Sequence, residues 1–222
     1  DLRDGMPFIG EMPNSGTLPP DRDPPTMTPD EVLDYAMKAG NKEMLRRLRN
    51  CTGDTEVLEA LRKKTKKEID DGLALPVNPV RALLHRTLIT PRFAKDEGMQ
   101  TKEGVTSRKV RAIDDYKASR MNEAIGTWEK IVYDALDCII ALIIYMFAIC
   151  GRALRLGKED FSGAYKTIPI RPEHRKWGTT AAQTKEGSEL IQLLVFPFGA
   201  VSGVHGWHRV GDLAQRTCTT VL

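Results

Sequence analysis

The chain has 222 residues, of which 41% are hydrophobic and 28% charged. That is enough for one ordinary domain or one domain with an arm, and the apolar share excludes wholesale disorder. The formal net charge of +3 excludes a global polycation, so any nucleic-acid surface has to come from local clustering of charge.

Cys51, Cys138, Cys150 and Cys218 show no CxxC spacing, which supports neither a zinc ribbon nor a small disulfide scaffold and points to a reducing intracellular compartment, cytoplasmic or nuclear. The first residue is Asp1 and no charged-then-apolar leader follows, which reads as a fragment or a processed chain. Residues 1–27 hold six of the thirteen prolines, among them Pro19-Pro20 and Pro24-Pro25. Such a segment is expected to be an extended or disordered arm.

A helical lead-in is expected over residues 28–84. Thr28 can cap a helix, Pro29 suits its first position, and Glu31 completes a capping box. Val32, Leu33, Ala36 and Met37 form its apolar face, and Gly40 is expected to end it. A second helix runs through Met44, Leu45 and Leu48. A third starts near Asp54, carries Val57, Leu58, Leu61 and Ile69, and ends at Gly72. Its basic run Arg62-Lys63-Lys64-Thr65-Lys66-Lys67 reads as a solvated helix face, with phosphate contact as the alternative.

From Leu88 the pattern turns β-rich. Leu88–Phe93 and Lys109–Tyr116 read as two strands of a long hairpin joined by a Gly-containing, Lys-rich loop. Residues 81–120 hold ten Lys/Arg against five Asp/Glu, so this region is more basic than the whole. Helix is expected from about 127 to 150, including the apolar run Cys138–Cys150. Thirteen helical residues reach about 20 Å, short of the roughly 30 Å hydrocarbon core, so a buried helix is expected and no membrane partner. A strand and tight turn fall between Lys158 and Ile170. Trp177–Ala182 and Leu190–Phe196 form a second hairpin around Gly187, Pro197-Phe198-Gly199 breaks it, and a last helix follows.

The chemistry centres on Asp160. A carboxylate at the end of a short strand, followed by small residues, can hold a metal beside backbone N–H groups that a phosphate approaches. The segment Asp160-Phe161-Ser162-Gly163-Ala164-Tyr165-Lys166-Thr167-Ile168-Pro169-Ile170 resembles the first metal-binding motif of retroelement reverse transcriptases. Lys109–Lys117, with Asn122 further on, resembles the fingers segment of that family. Phe196-Pro197-Phe198-Gly199-Ala200 resembles the Pro-Phe-Gly or Pro-Gln-Gly segment that opens its next palm motif. The three stand in family order and cover roughly residues 85–215.

The resemblance implies an α+β fold: a helical lead-in, a fingers β-hairpin, a buried helix and an incomplete palm sheet of a polymerase-like right hand. Residues 85–222 become its fingers and partial palm. It implies that Asp160 and the carbonyl of Phe161 bind Mg²⁺, with Asp160 the catalytic carboxylate. The Gly163 and Ala164 N–H groups face the triphosphate of a dNTP, and Tyr165 is the steric gate against a 2′-hydroxyl. Arg111 contacts the nucleotide phosphates, with Lys109, Lys102 or Arg108 as a further cation. Phe198 and Gly199 line the pocket, although many members carry a hydrogen-bonding Gln where Phe198 stands. An RNA or DNA template-primer is the implied partner.

Two metals clamped by carboxylates neutralise the attacking and leaving oxygens in phosphoryl transfer. The second Asp-Asp motif of the family does not follow Gly199 before Leu222, and Ile113-Asp114-Asp115 fits the fingers strand instead. The chain by itself is therefore expected to lack polymerase activity. The alternative is a degenerate, non-catalytic nucleic-acid-binding fragment of a retroelement, whose affinity falls steeply with salt. His205 and His208 share a helix face and loosely suggest metal ligands, without an evident fourth.

Overall fold

The computed structural model describes residues 2–50, 54–102, 104–132, 135–151, 161, 163–184 and 187–221. The N-terminal arm is not disordered. It contributes β1 (Gly10–Met12) and β2 (Pro20–Asp23), which flank β6 (Ile125–Glu129) in a three-stranded sheet. β1 runs parallel to β6, with Gly10 opposite Ile125, and β2 runs antiparallel to it. The prolines tolerate this because they sit outside the ladder or on its edge: β2 is exposed throughout and carries Pro20 and three charges, which discourage further pairing. The arm also supplies core side chains. Phe8 is fully buried and meets the rings of Tyr116 and Phe196 edge-on at 5.6 and 5.3 Å.

The capping box at Thr28 forms as its residues dictate: Thr28 Oγ1 accepts from the Glu31 N–H, and the Glu31 carboxylate accepts from the Thr28 N–H. The helix α1 (Pro29–Tyr35) then passes through a π turn, Ala36–Gly40, into α2 (Asn41–Asn50). Gly40 therefore does not stop the chain. It is glycine because the Tyr35 ring lies where a Cβ would stand, 2.6 Å away. α3 (Thr55–Asp70) is capped by Asp54 and ends at Gly72, whose φ of +71° suits a left-handed turn. Leu61, Thr65 and Glu68, at i, i+4 and i+7, form its buried face.

Past α3, β3 (Ala74–Val77) and α4 (Pro79–Leu84) lead to the hairpin of β4 (Ile89–Lys102) and β5 (Val105–Asp114). The second hairpin is β7 (Thr179–Thr184) with β8 (Gly187–Leu193). The two hairpins belong to one sheet of order β3-β8-β7-β4-β5, joined by the parallel pairing of β4 with β7. α3 packs across β5, so its basic run lies beside the hairpin.

Residues 127–129, expected as the start of a helix, belong to β6 instead. The apolar run forms α5 (Leu136–Cys150), yet none of its fifteen residues is buried; Leu136, Leu142, Ile144, Tyr145 and Ile149 are all more than half exposed. A long uncharged run dictates a helix but not its neighbour, and no described element covers this one. Among the described residues no helix is long and apolar enough to cross a membrane. α6 (Val201–Val221) closes the chain. The architecture is thus mixed α+β with two mixed sheets.

Candidate functional site

Asp160 lies outside the described residues, as do the neighbours 152–159, so the strand expected to carry it is not part of the geometry below. Phe161 is half-exposed and meets Trp207 of α6 edge-on at 5.1 Å. Gly163 takes a left-handed φ of +65° and starts a short 3-10 turn, Ala164–Thr167. The Ala164 carbonyl accepts from the Thr167 hydroxyl at 2.7 Å. That turn sets Tyr165 against the core edge, with its ring 5.9 Å from Phe198 and steeply inclined to it.

Phe198 and Gly199 sit on an exposed bend that other segments hold in place. The Asn122 side chain donates to the Gly199 carbonyl at 3.1 Å and accepts from the Val201 N–H at 3.2 Å. Gly199 has φ +108°, and a Cβ there would lie 2.7 Å from the Asp114 carbonyl oxygen at the base of β5. Only glycine allows that approach. The bend is thereby fastened to the hairpin on one side and touches the Tyr165 turn on the other.

Beneath the hairpin lies a buried charge network. Arg92 of β4 stands opposite Asp114 of β5 and donates to both its carboxylate oxygens, at 2.7 and 3.0 Å. A third bond runs to Glu68 of α3 at 2.6 Å. Glu68 also accepts from Lys166 at 2.5 Å, which ties the Tyr165 turn to α3. Burial pushes the Glu68 carboxyl up, but Arg92 and Lys166 outweigh it and hold the group below its ordinary value. Burial alone would lower the Arg92 value, and its two carboxylates raise it instead.

Lys109 and Arg111 project from β5 onto Glu97 of β4, at 3.1 and 2.6 Å, one cation to each carboxylate oxygen. Glu97 lies within the ladder irregularity between Asp96 and Met99. The Lys109 bond pulls Glu97 down most, burial opposes it, and Arg111 and Lys64 add to the depression. Lys64 of α3 donates to the Val110 carbonyl, between Lys109 and Arg111, at 2.9 Å. Burial lowers its value, and it lies within electrostatic reach of Lys166, Glu68, Glu97 and Arg111. Arg108 pairs with Asp96, and Lys102 ends β4.

Of the residues singled out in the sequence, Gly163, Ala164, Tyr165, Phe198 and Gly199 therefore form one contiguous surface. Lys109 and Arg111 form a second, linked to the first through Lys64, Glu68 and Lys166. These three linking residues were not singled out for this site. For Lys64 the signal was present, since the basic run on α3 left phosphate contact open. For Glu68 and Lys166 only the long-range packing brings them in. His205 is buried on α6, and among the described residues its Nδ1 has no hydrogen-bond partner. Among the described residues no group of three His, Cys, Asp or Glu side chains could hold a metal ion.

The arrangement offers an aromatic-lined bend and, joined to it through Lys166, Glu68 and Lys64, a cationic hairpin face, groups of the kinds that hold a base or sugar and a phosphate. A scan against protein-family models finds no match. A search of curated proteins finds no significant relative.

Proposed function

We propose that this chain is the fingers and partial palm of a retroelement-type RNA-directed DNA polymerase, with the helical lead-in and both hairpins as one side of a right-hand fold. The observation that carries the reading is the meeting of separated motifs. Gly199 packs on the last residue of β5, and Tyr165 faces Phe198. The segments bearing the resemblance thus come together from positions that are far apart in sequence.

In this reading the Asp160 carboxylate and the Phe161 carbonyl would hold Mg²⁺, which would supply charge neutralisation for phosphoryl transfer. Arg111 and Lys109 orient the triphosphate of the incoming dNTP. Tyr165 stands beside the sugar and selects against a 2′-hydroxyl by clash. Asn122 fixes the Phe198-Gly199 bend that floors the pocket. The template-primer, RNA or DNA, runs along the basic hairpin.

The test is calorimetric titration of the 222-residue chain with dATP and with a template-primer duplex. Arg111→Ala is expected to weaken dATP binding about tenfold, the scale of one charge-assisted phosphate contact. Tyr165→Ala is expected to erase the preference for dATP over ATP. Equal nucleotide binding by wild type and both variants refutes the reading. Template-primer binding that survives Asp160→Ala, without any dATP binding, favours the non-catalytic fragment instead.

A further inference from the structure

One carboxylate in the cationic cluster sits where an anionic ligand would be expected. Glu97 is four-fifths shielded from solvent and presents one oxygen to Lys109 and the other to Arg111. Two cations converging on the two oxygens of one anion is also how a phosphate group is held. Lys64 stands behind them from α3, a helix outside the stretch that resembles any family, with its ammonium anchored on the Val110 carbonyl. The Glu97 carboxylate feels all three cations.

Among the described residues, three cations share one carboxylate at this point. Glu68 and Asp114 are taken up by the buried Arg92, and Glu68 also serves Lys166. Among the described side chains, that leaves Lys64, Lys109 and Arg111 sharing Glu97. Arg111 and Lys109 are about half exposed, so an incoming anion can reach them without unfolding the hairpin. Glu97 lies beside the Asp96–Met99 ladder irregularity, where the strand register is already broken and a side chain can swing with little loss of pairing.

We propose that Glu97 holds the place of a phosphate group between Lys109, Arg111 and Lys64, and that a polyphosphate ligand binds by displacing it. The inference rests on the nucleotide reading above for the identity of the ligand, while the exchange of one anion for another stands on the geometry alone. Glu97 then sets the affinity: it keeps the three cations positioned in the empty site and competes with the ligand, favouring a multiply charged polyphosphate over a single phosphate. Lys64 is a phosphate-contacting residue contributed by the lead-in.

The experiment is titration calorimetry of the full chain with inorganic tripolyphosphate, orthophosphate and dATP at fixed ionic strength. Glu97→Gln removes the competing charge and is expected to bind tripolyphosphate about fivefold more tightly, the scale of two exposed ion pairs. Glu97→Asp keeps the charge on a shorter arm and falls between the two. Lys64→Met is expected to weaken tripolyphosphate at least threefold. Glu173→Gln makes the same change of net charge in the 3-10 turn Pro172–Trp177, where Glu173 pairs with Arg171, and is expected to bind as wild type. Near-UV circular dichroism checks that each variant keeps its packing. The proposal is overturned if Glu97→Gln binds no tighter than wild type, if Glu173→Gln matches its gain, if Lys64→Met binds unchanged, or if neither wild type nor Glu97→Gln binds tripolyphosphate. The nucleotide reading fails separately. In that case tripolyphosphate follows the pattern above, while dATP gains nothing over tripolyphosphate and Tyr165→Ala leaves the dATP-to-ATP ratio unmoved.

Discussion

Asp114→Ala breaks the buried charge network beneath the hairpin. The Arg92 side chain is only 3% exposed and spends two of its three strong bonds on Asp114. Removing that carboxylate leaves a buried guanidinium with Glu68 and, at 3.5 Å, the Thr65 hydroxyl. Breaking a buried pair in this way costs about 3–5 kcal/mol, and the surviving Glu68 bond places this case near about 3 kcal/mol. For a chain of this size that corresponds to a fall in Tm of roughly 6–12 °C. It is also a large share of a total stability of about 5–15 kcal/mol. Guanidinium titration followed by tryptophan fluorescence measures it, since Trp177 is buried in the main core. The partner variant Arg92→Met removes the cation, so Asp114→Ala in that background is expected to cost at least about 1.5 kcal/mol less than alone. A loss under about 1 kcal/mol for Asp114→Ala, or strict additivity of the two, refutes the argument.

Gly199→Ala forces a Cβ to 2.7 Å from the Asp114 carbonyl at a φ of +108°. It should cost about 1–3 kcal/mol in the same titration, and a change within about 0.5 kcal/mol would count against the close approach. Stability also falls with acidification in two stages. His174 accepts the Phe8 N–H on Nδ1 at 3.0 Å, and burial lowers its value below the usual 6.5. Its contribution is complete above about pH 6.5 and lost as pH drops through the lowered value. In Glu129 burial pushes up, but the Ser15 and Arg209 bonds outweigh it, so a second loss begins below about pH 4.5. Hydrogen exchange of the Phe8 amide reads the first stage and urea titration at stepped pH reads both. Protection and stability unchanged from pH 7 to pH 4 would sink this account.

The elements that were legible in the sequence are the ones set by neighbours along the chain. The Thr28 box, the Asp54 cap and both hairpins rest on residues within a few positions of each other. What failed depends on contacts across the chain. The proline-rich arm gives no local sign that Gly10 pairs with Ile125. The reason for Gly40 is a Tyr35 ring, not a helix stop. The Cys138–Cys150 run carries no mark of what it packs against. The site divides in the same way. Tyr165, Phe198 and Gly199 were visible as a motif, whereas Glu97 and Glu68 acquire meaning only when the hairpin register and α3 place them among cations. Arg92 opposite Asp114 is an intermediate case, since it follows from the sequence once the hairpin register is known.

The parallel docking of the arm has a consequence for how the polypeptide matures. Ser202 donates its hydroxyl hydrogen to the Phe8 carbonyl, and β1 needs β6, so the arm leaves a ribosome long before the segments that hold it in place. At about 5–20 residues per second, some 190 further residues take on the order of 10–40 s to emerge. Closing so long a loop adds little free energy but slows assembly. Through that interval Phe8 lacks its Phe196 and Ser202 contacts, and a nascent chain in this state offers chaperones a defined apolar handle in the arm.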